Sequence, residues 1–183
     1  MLLGRSEILS WMAKGLLVQD TIDQEKQVQS CGVDLTVGKV FTLEGKGVLD
    51  FTNEKRKLPE YRELAGDNGV WHLSPGTYHF AMNEKIVLPK NIAGLLLPRS
   101  SALTCGLEVH TAVWDPGYEG RSFIHVSLVR DVEIHKNAKV AQMIFFDLGK
   151  ETAAYSGIYK NEDIIKFAKR GAQDEGKENT LCE

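Results

Sequence analysis

The sequence predicts a mainly β fold, an antiparallel sandwich or barrel with one short N-terminal helix, and three observations predict it. Seven short apolar or alternating runs recur from residue 33 onward, separated by turn residues. Little beyond the first fifteen or so residues carries helical spacing, apart from room for a single turn in IIKFAKRG. The chain has 183 residues, 43% hydrophobic and 26% charged, which is enough for one core of ordinary size.

The helix comes from SEILSWMAKG. Ser6 stands as its N-cap, Ile8, Leu9 and Met12 share one face, and Gly15 stands where a C′ residue belongs. The strands come from VDLTVGKVFTL, VWHLSPGTYHFAM, EKIVLP, IAGLLLP, GLEVHTAVW, RSFIHVSLV and AKVAQMIFFDL. Short strands at this spacing suit an antiparallel architecture. The charged stretch NEKRKLPEYRELAGDNG, residues 53–69, interrupts them and reads as a surface excursion. Residues 1–160 are expected to form one domain, and the polar, Gly-containing residues 161–183 a tail able to act as a lid.

Composition excludes several classes of function. A net charge of −3 and a pI near 6.0 give no basic footprint for nucleic acid. No run approaches the roughly 18 apolar residues of a membrane span, and the N-terminus MLLGRSEIL lacks the layout of a signal peptide. Cys31, Cys105 and Cys182 are odd in number and lack metal-ligand spacing, and the first two are expected to be buried, inert thiols. A cytoplasmic protein with no nucleic-acid partner and no membrane association is expected.

Chemistry concentrates in PRSSALTCGLEVHTAVWDPGYEGR, residues 98–121. Arg99 offers a planar fork of donors that matches phosphate oxygens in pairs, and Ser100 and Ser101 add hydroxyls and backbone N–H groups beside it. Asp115-Pro116-Gly117-Tyr118 suits a type II turn, with Pro116 setting φ and Gly117 supplying a positive one. Asp115 therefore has two readings. It is a turn former, or a carboxylate that orients and deprotonates a water attacking a phosphoryl group.

Four motifs in order resemble the superfamily of dUTPases and dCTP deaminases. They are Ser30-Cys31-Gly32-Val33-Asp34-Leu35, Pro98-Arg99-Ser100-Ser101, Val113-Trp114-Asp115-Pro116-Gly117-Tyr118-Glu119-Gly120 and Ala141-Gln142-Met143-Ile144. The resemblance runs from about residue 1 to 160 and implies a distorted antiparallel β-barrel of the dUTPase-like type, assembled as a homotrimer with shared sites. It implies dUTP as substrate and Mg²⁺ as cofactor, with Asp115 activating the water that attacks the α-phosphate. It further implies that Tyr118 packs under the deoxyribose, and that Arg99, Ser100, Ser101 and Gln142 contact phosphates. Backbone groups from Val109 through Val113 to Trp114, and at Phe123, would read the uracil edge, and Tyr155 would contact substrate from the lid. Asp34 resembles an acid that holds waters around Mg²⁺ without ligating it, or else is structural.

The two branches of the superfamily differ in chemistry. The N-terminal helix and the Asp-Pro-Gly-Tyr turn resemble the deaminase branch, but the glutamate that branch uses at the pyrimidine ring is replaced by His125, and its second arginine by Thr104. In the lid, Ile158 and Glu162 stand where that branch has lysine and glutamine. His125 is either a half-buried strand residue or a substitute proton carrier. Hydrolysis of dUTP to dUMP and pyrophosphate is the expected activity. A dCTP deaminase using His125 and a catalytically silent nucleotide-binding regulator are the alternatives.

Overall fold

The computed structural model describes residues 1–157 and 159–160. In chain order its elements are α1 (Arg5–Met12), β1 (Leu17–Gln19), α2 (Gln24–Gln27), β2 (Val33–Glu44), β3 (Glu60–Leu64), β4 (Val70–Leu73) and β5 (Gly76–Val87). There follow β6 (Ile92–Pro98), α3 (Ser100–Thr104), β7 (Leu107–His110), β8 (Glu119–Leu128), β9 (Val132–His135) and β10 (Lys139–Asp147).

Eight strands form one antiparallel sheet in the order β6-β10-β2-β5-β8-β7, with β1 against β5 and β3 against β2, while β4 and β9 pair as a separate ribbon. The sheet curls nearly closed because the chain leaving β7 returns to β6. There Trp114 and Gly94 exchange both backbone hydrogen bonds, at 2.9 and 3.0 Å. The result is a distorted antiparallel barrel, one of the two architectures the alternating runs allow and the one the motif resemblance implies.

Strand β8 shows why alternation specified the fold. Gly120, Ser122, Ile124, Val126 and Leu128 point inward, and every residue between them is half-buried. The inward residues meet Phe80, Met82, Val37, Val40, Met143 and Phe145 in one core. Phe80→Ala, at a fully buried position, is expected to cost about 3–5 kcal/mol, because a large ring is lost and the barrel wall collapses only partly into the space; denaturant titration measures it. Gly32 is fixed by close approach. A Cβ there would lie 2.6 Å from the backbone oxygen of Met143, so the turn into β2 admits no larger residue without displacing β10.

Four sequence-based expectations change. The helix starts one residue before Ser6, with Gly4 as N-cap and its N–H donated to Glu7 Oε2 at 2.8 Å. The 53–69 excursion contains β3, which runs antiparallel to β2 with Tyr61 opposite Leu43. Its residues are nearly all exposed, and the backbone ladder with a few side-chain contacts, Tyr61 on Phe123 among them, holds it, so no apolar alternation announces it. Residues 100–104, which lie between two of the expected strands, form α3. Cys31 and Cys105 are exposed rather than buried, because one sits in the turn before β2 and the other caps α3. The expected lid residues Ile158 and Glu162, and the tail 161–183 with Cys182, lie outside the described residues. Among the described residues no helix is long and apolar enough to cross a membrane.

Candidate functional site

The turn before β8 is closed by backbone alone. Tyr118 N–H donates to Asp115 O at 3.1 Å, and Gly117 takes φ of +77°, as a type II turn requires. An aspartate at the first turn position ordinarily caps the turn with its side chain. Here, among the described residues, no donor or cation engages the Asp115 carboxylate, which is exposed on the wall of a cavity of about 480 Å³. The turn does not use the acid. The chain after β10 packs back onto this turn, with Tyr155 N–H donating to Pro116 O at 2.8 Å. A Cβ on Gly117 would meet Ala154 Cβ at 2.8 Å, so glycine is demanded there by space as well as by φ.

The cavity is a gap in the barrel wall. The β7–β8 ladder stops at His110 opposite His125, and residues 111–113 belong to no strand, so the edge of β8 at Phe123 loses its partner. Backbone N–H and C=O groups uncommitted to a ladder line this slot, where a planar base edge can satisfy them. The floor is polar but already satisfied: Trp114 Nε1–H donates to Ser122 Oγ at 2.7 Å, and the Tyr118 hydroxyl pairs with the same oxygen at 3.0 Å. The Tyr118 ring is thereby held against the cavity, 5.7 Å from that of Tyr155. On the other side Tyr61 stacks on Phe123 at 4.4 Å, nearly parallel at 7°, and Phe41 meets Phe123 edge-on at 5.2 Å.

Three histidines close the far end. His125 Nδ1 lies 3.0 Å from His79 Nε2, and the His110 ring is 5.7 Å from that of His125. Burial, and then the neighbouring His125, push the His79 pKa down to about 4; burial, and then His110, push that of His125 down. The fold thus holds His79 neutral to about pH 4, whereas the unfolded chain takes up that proton near 6.5. Between those values the unfolded state binds more protons, so this term lowers stability as the pH falls through that window. Fully buried Glu84, raised by burial, acts in the opposite sense. The expected result is that wild type loses thermal stability relative to His79→Phe as pH drops from 6.5 to 4. Parallel melting curves of the two proteins test it.

A second cluster lies apart. Asp34, 1% exposed, is held by Arg99 Nε and Lys139 Nζ, both at 3.2 Å, with Gln29 Nε2 at 3.3 Å and Gln142 Nε2 at 3.5 Å. Register explains the meeting: Gln142 of β10 stands opposite both Asp34 of β2 and Leu97 of β6, two residues before Arg99. Ser100 and Ser101 are exposed on the first turn of α3. None of Asp34, Arg99, Ser100, Ser101 and Gln142 lines the cavity that holds Asp115. Of the other expected residues, Val113, Trp114, Tyr118, Phe123 and Tyr155 line it. Val109 does not, since it pairs with Val126 in the ladder and packs on the core.

The structure adds Tyr61, His79, His110, Ser122 and Tyr159 to the cavity wall. An aromatic inside a charged run was the available signal for Tyr61. For His79 there was none, since only the β5–β8 register places it opposite His125.

Residues 2–148 match the dCTP deaminase-like family. The deoxyuridine 5'-triphosphate nucleotidohydrolase of Methanocaldococcus jannaschii is 43% identical over 139 residues, which are 75% of this chain and 89% of the relative. A protein from Archaeoglobus fulgidus named as a probable enzyme of the same kind is 38% identical over 164 residues, covering 88% of this chain and 97% of the relative. Among solved structures, the 2'-deoxycytidine 5'-triphosphate deaminase of Agrobacterium tumefaciens shares the fold, with a TM-score of 0.61 at 18% identity. The match covers 79% of this chain and 47% of that one. With an antiparallel barrel, a backbone-closed Asp-Pro-Gly-Tyr turn and these relatives in agreement, the chain is a member of the dCTP deaminase-like family within the dUTPase and dCTP deaminase superfamily.

Proposed function

We propose that the protein is a dUTP diphosphatase, hydrolysing dUTP to dUMP and pyrophosphate. The observation that carries this reading is the Asp115 carboxylate, unengaged among the described residues and set on the cavity wall, while a histidine occupies the strand position where a ring-attacking acid would stand. Asp115 orients a water and takes its proton as the water oxygen bonds to the α-phosphorus, and the bond from that phosphorus to the bridging oxygen breaks, releasing pyrophosphate. The uracil edge enters the gap between residues 111–113 and Phe123, and the deoxyribose lies on the Tyr118 ring, which Ser122 holds in place.

Mg²⁺, when bound, offsets negative charge on the triphosphate and its leaving group. No trio of acidic, histidine or cysteine side chains able to hold a metal gathers among the described residues, and the Asp34 carboxylate is occupied by Arg99 and Lys139. Mg²⁺ would therefore be carried in by the nucleotide itself, and Asp34 acts as the anchor of Arg99.

The protein works as a homotrimer in this reading. The Arg99, Ser100, Ser101 and Gln142 group lies off the cavity of its own chain, which supports its serving the phosphates of a neighbour's site. Incubation with dUTP, dCTP and dTTP plus Mg²⁺, following pyrophosphate and ammonia separately, tests the reaction. Pyrophosphate from dUTP alone is expected, and ammonia from dCTP would replace this reading with a deaminase in which His125 carries protons. Light scattering showing a monomer would remove the shared site.

A further inference from the structure

The contact between His79 and His125 determines which nitrogen carries a proton. A neutral imidazole has one N–H and one lone pair, so across the 3.0 Å contact one ring donates and the other accepts. Two arrangements are open, and they differ at His79 Nδ1, which is buried with no hydrogen-bond partner among the described residues. If His79 accepts through Nε2, its Nδ1 carries a proton and a buried N–H is orphaned, which folded proteins rarely tolerate. If His79 donates through Nε2, only a lone pair is left without a partner. The second arrangement also places both rings in the Nε2–H tautomer, the commoner form of neutral histidine, whereas the first needs both in the rarer one. Burial keeps His79 neutral, so the choice is between tautomers and not between charges.

In the favoured arrangement His125 accepts through Nδ1 and has its one proton on Nε2, the nitrogen left for the cavity it lines. Its position matters because His110 opposite His125 is the last ladder pair before the gap, so a base edge entering the gap ends at this ring. Ser122, which holds Tyr118, and His125 stand three residues apart on β8, and both line the one cavity.

We propose that His79 and His125 form a base-selecting dyad. His79, a positioning residue, locks His125 as an Nε2–H donor, and that donor accepts a pyrimidine with a 4-carbonyl oxygen and rejects one with a 4-amino group. Uracil O4 completes the hydrogen bond; cytosine N4 would set one donor against another and leave both unpaired. The dyad deepens the dUTP reading and rests on it for the identity of the ligand. It also gives the histidine that replaces an acid on β8 a role that needs no proton transfer.

Long-range ¹H–¹⁵N correlation NMR of the wild-type protein reads the tautomers directly, without a variant or turnover. Protonated Nε2 and bare Nδ1 on both rings is the expected result, and a proton on His125 Nδ1 overturns the proposal. In His79→Phe the His125 signals are expected to shift toward a tautomer mixture, which a packing role for His79 would not cause. Calorimetry with α,β-imido-dUTP and α,β-imido-dCTP then measures selection at the base without hydrolysis. The affinity ratio is expected to favour the dUTP analogue, to narrow by about tenfold in His125→Leu as one hydrogen bond is lost, and to be kept in His125→Gln, whose amide can donate. Equal binding of the analogues by wild type, or an unchanged ratio in His125→Leu, overturns the dyad. A wild type that prefers the dUTP analogue yet releases no pyrophosphate would sink the hydrolase reading and leave the dyad standing.

Discussion

Asp115→Asn is expected to lower kcat on dUTP by about 10²- to 10⁴-fold while leaving nucleotide affinity nearly unchanged. The magnitude is that of a positioned general base, and it falls on kcat because the amide keeps the size of the side chain and the turn but cannot take the proton of the attacking water. The structure makes this a clean experiment. The turn is closed by the Tyr118 N–H, the Asp115 carbonyl and the positive φ of Gly117, so the side chain can change without loosening it. Steady-state kinetics with a parallel measurement of analogue binding check both halves. Wild-type turnover in the variant would return Asp115 to its role as a turn former, and a large loss of affinity with kcat intact would make it a binding group.

Subunits carrying Arg99→Ala and subunits carrying Asp115→Asn are each expected to form inactive enzymes, and to regain activity when co-assembled. Loss of a fixed donor from a phosphate site is worth about 10²- to 10³-fold, and in each pure variant every site lacks one of the two groups. In hybrids, an intact Arg99 from one subunit can face an intact Asp115 from another. The expectation follows from placement: Arg99 is bound to Asp34 at 3.2 Å and does not line the cavity that holds Asp115 in the same chain. Lys139, also 3.2 Å from Asp34, keeps that buried carboxylate paired in Arg99→Ala, so the barrel is expected to survive the change. Separately tagged subunits, co-expressed and purified through both tags, supply verified hybrids for assay. Hybrids as inactive as their parents would place both groups in one subunit's site.

Much of the fold was legible because its signal is local. The inward residues of β8 alternate at every second position, as the burial pattern repeats without a break from Glu119 to Leu128. The turn at residues 115–118 was equally plain, since Pro116 and Gly117 restrict φ by their own covalent structure. Strand β3 was hidden because an edge strand held by backbone bonds needs no apolar pattern, and its one signal was Tyr61 among charges. The helix α3 was hidden because five residues after a proline carry too little periodicity to announce a helix.

The site divides in the same way. The order of the four motifs, the donors of Arg99 and the acid at Asp115 belong to the residues themselves, and their order is what carries the resemblance. Two questions the sequence left open turn on contacts that only the third dimension shows. Whether Asp115 serves the turn depends on what its carboxylate touches, and among the described residues it touches no donor. What His125 does depends on a neighbour 46 positions away, His79, whose Nε2 reaches it across the β5–β8 ladder. Side-chain chemistry travels with the residue, so the sequence carries it. Partnership and solvation depend on strand register between distant segments, and only the folded barrel sets them.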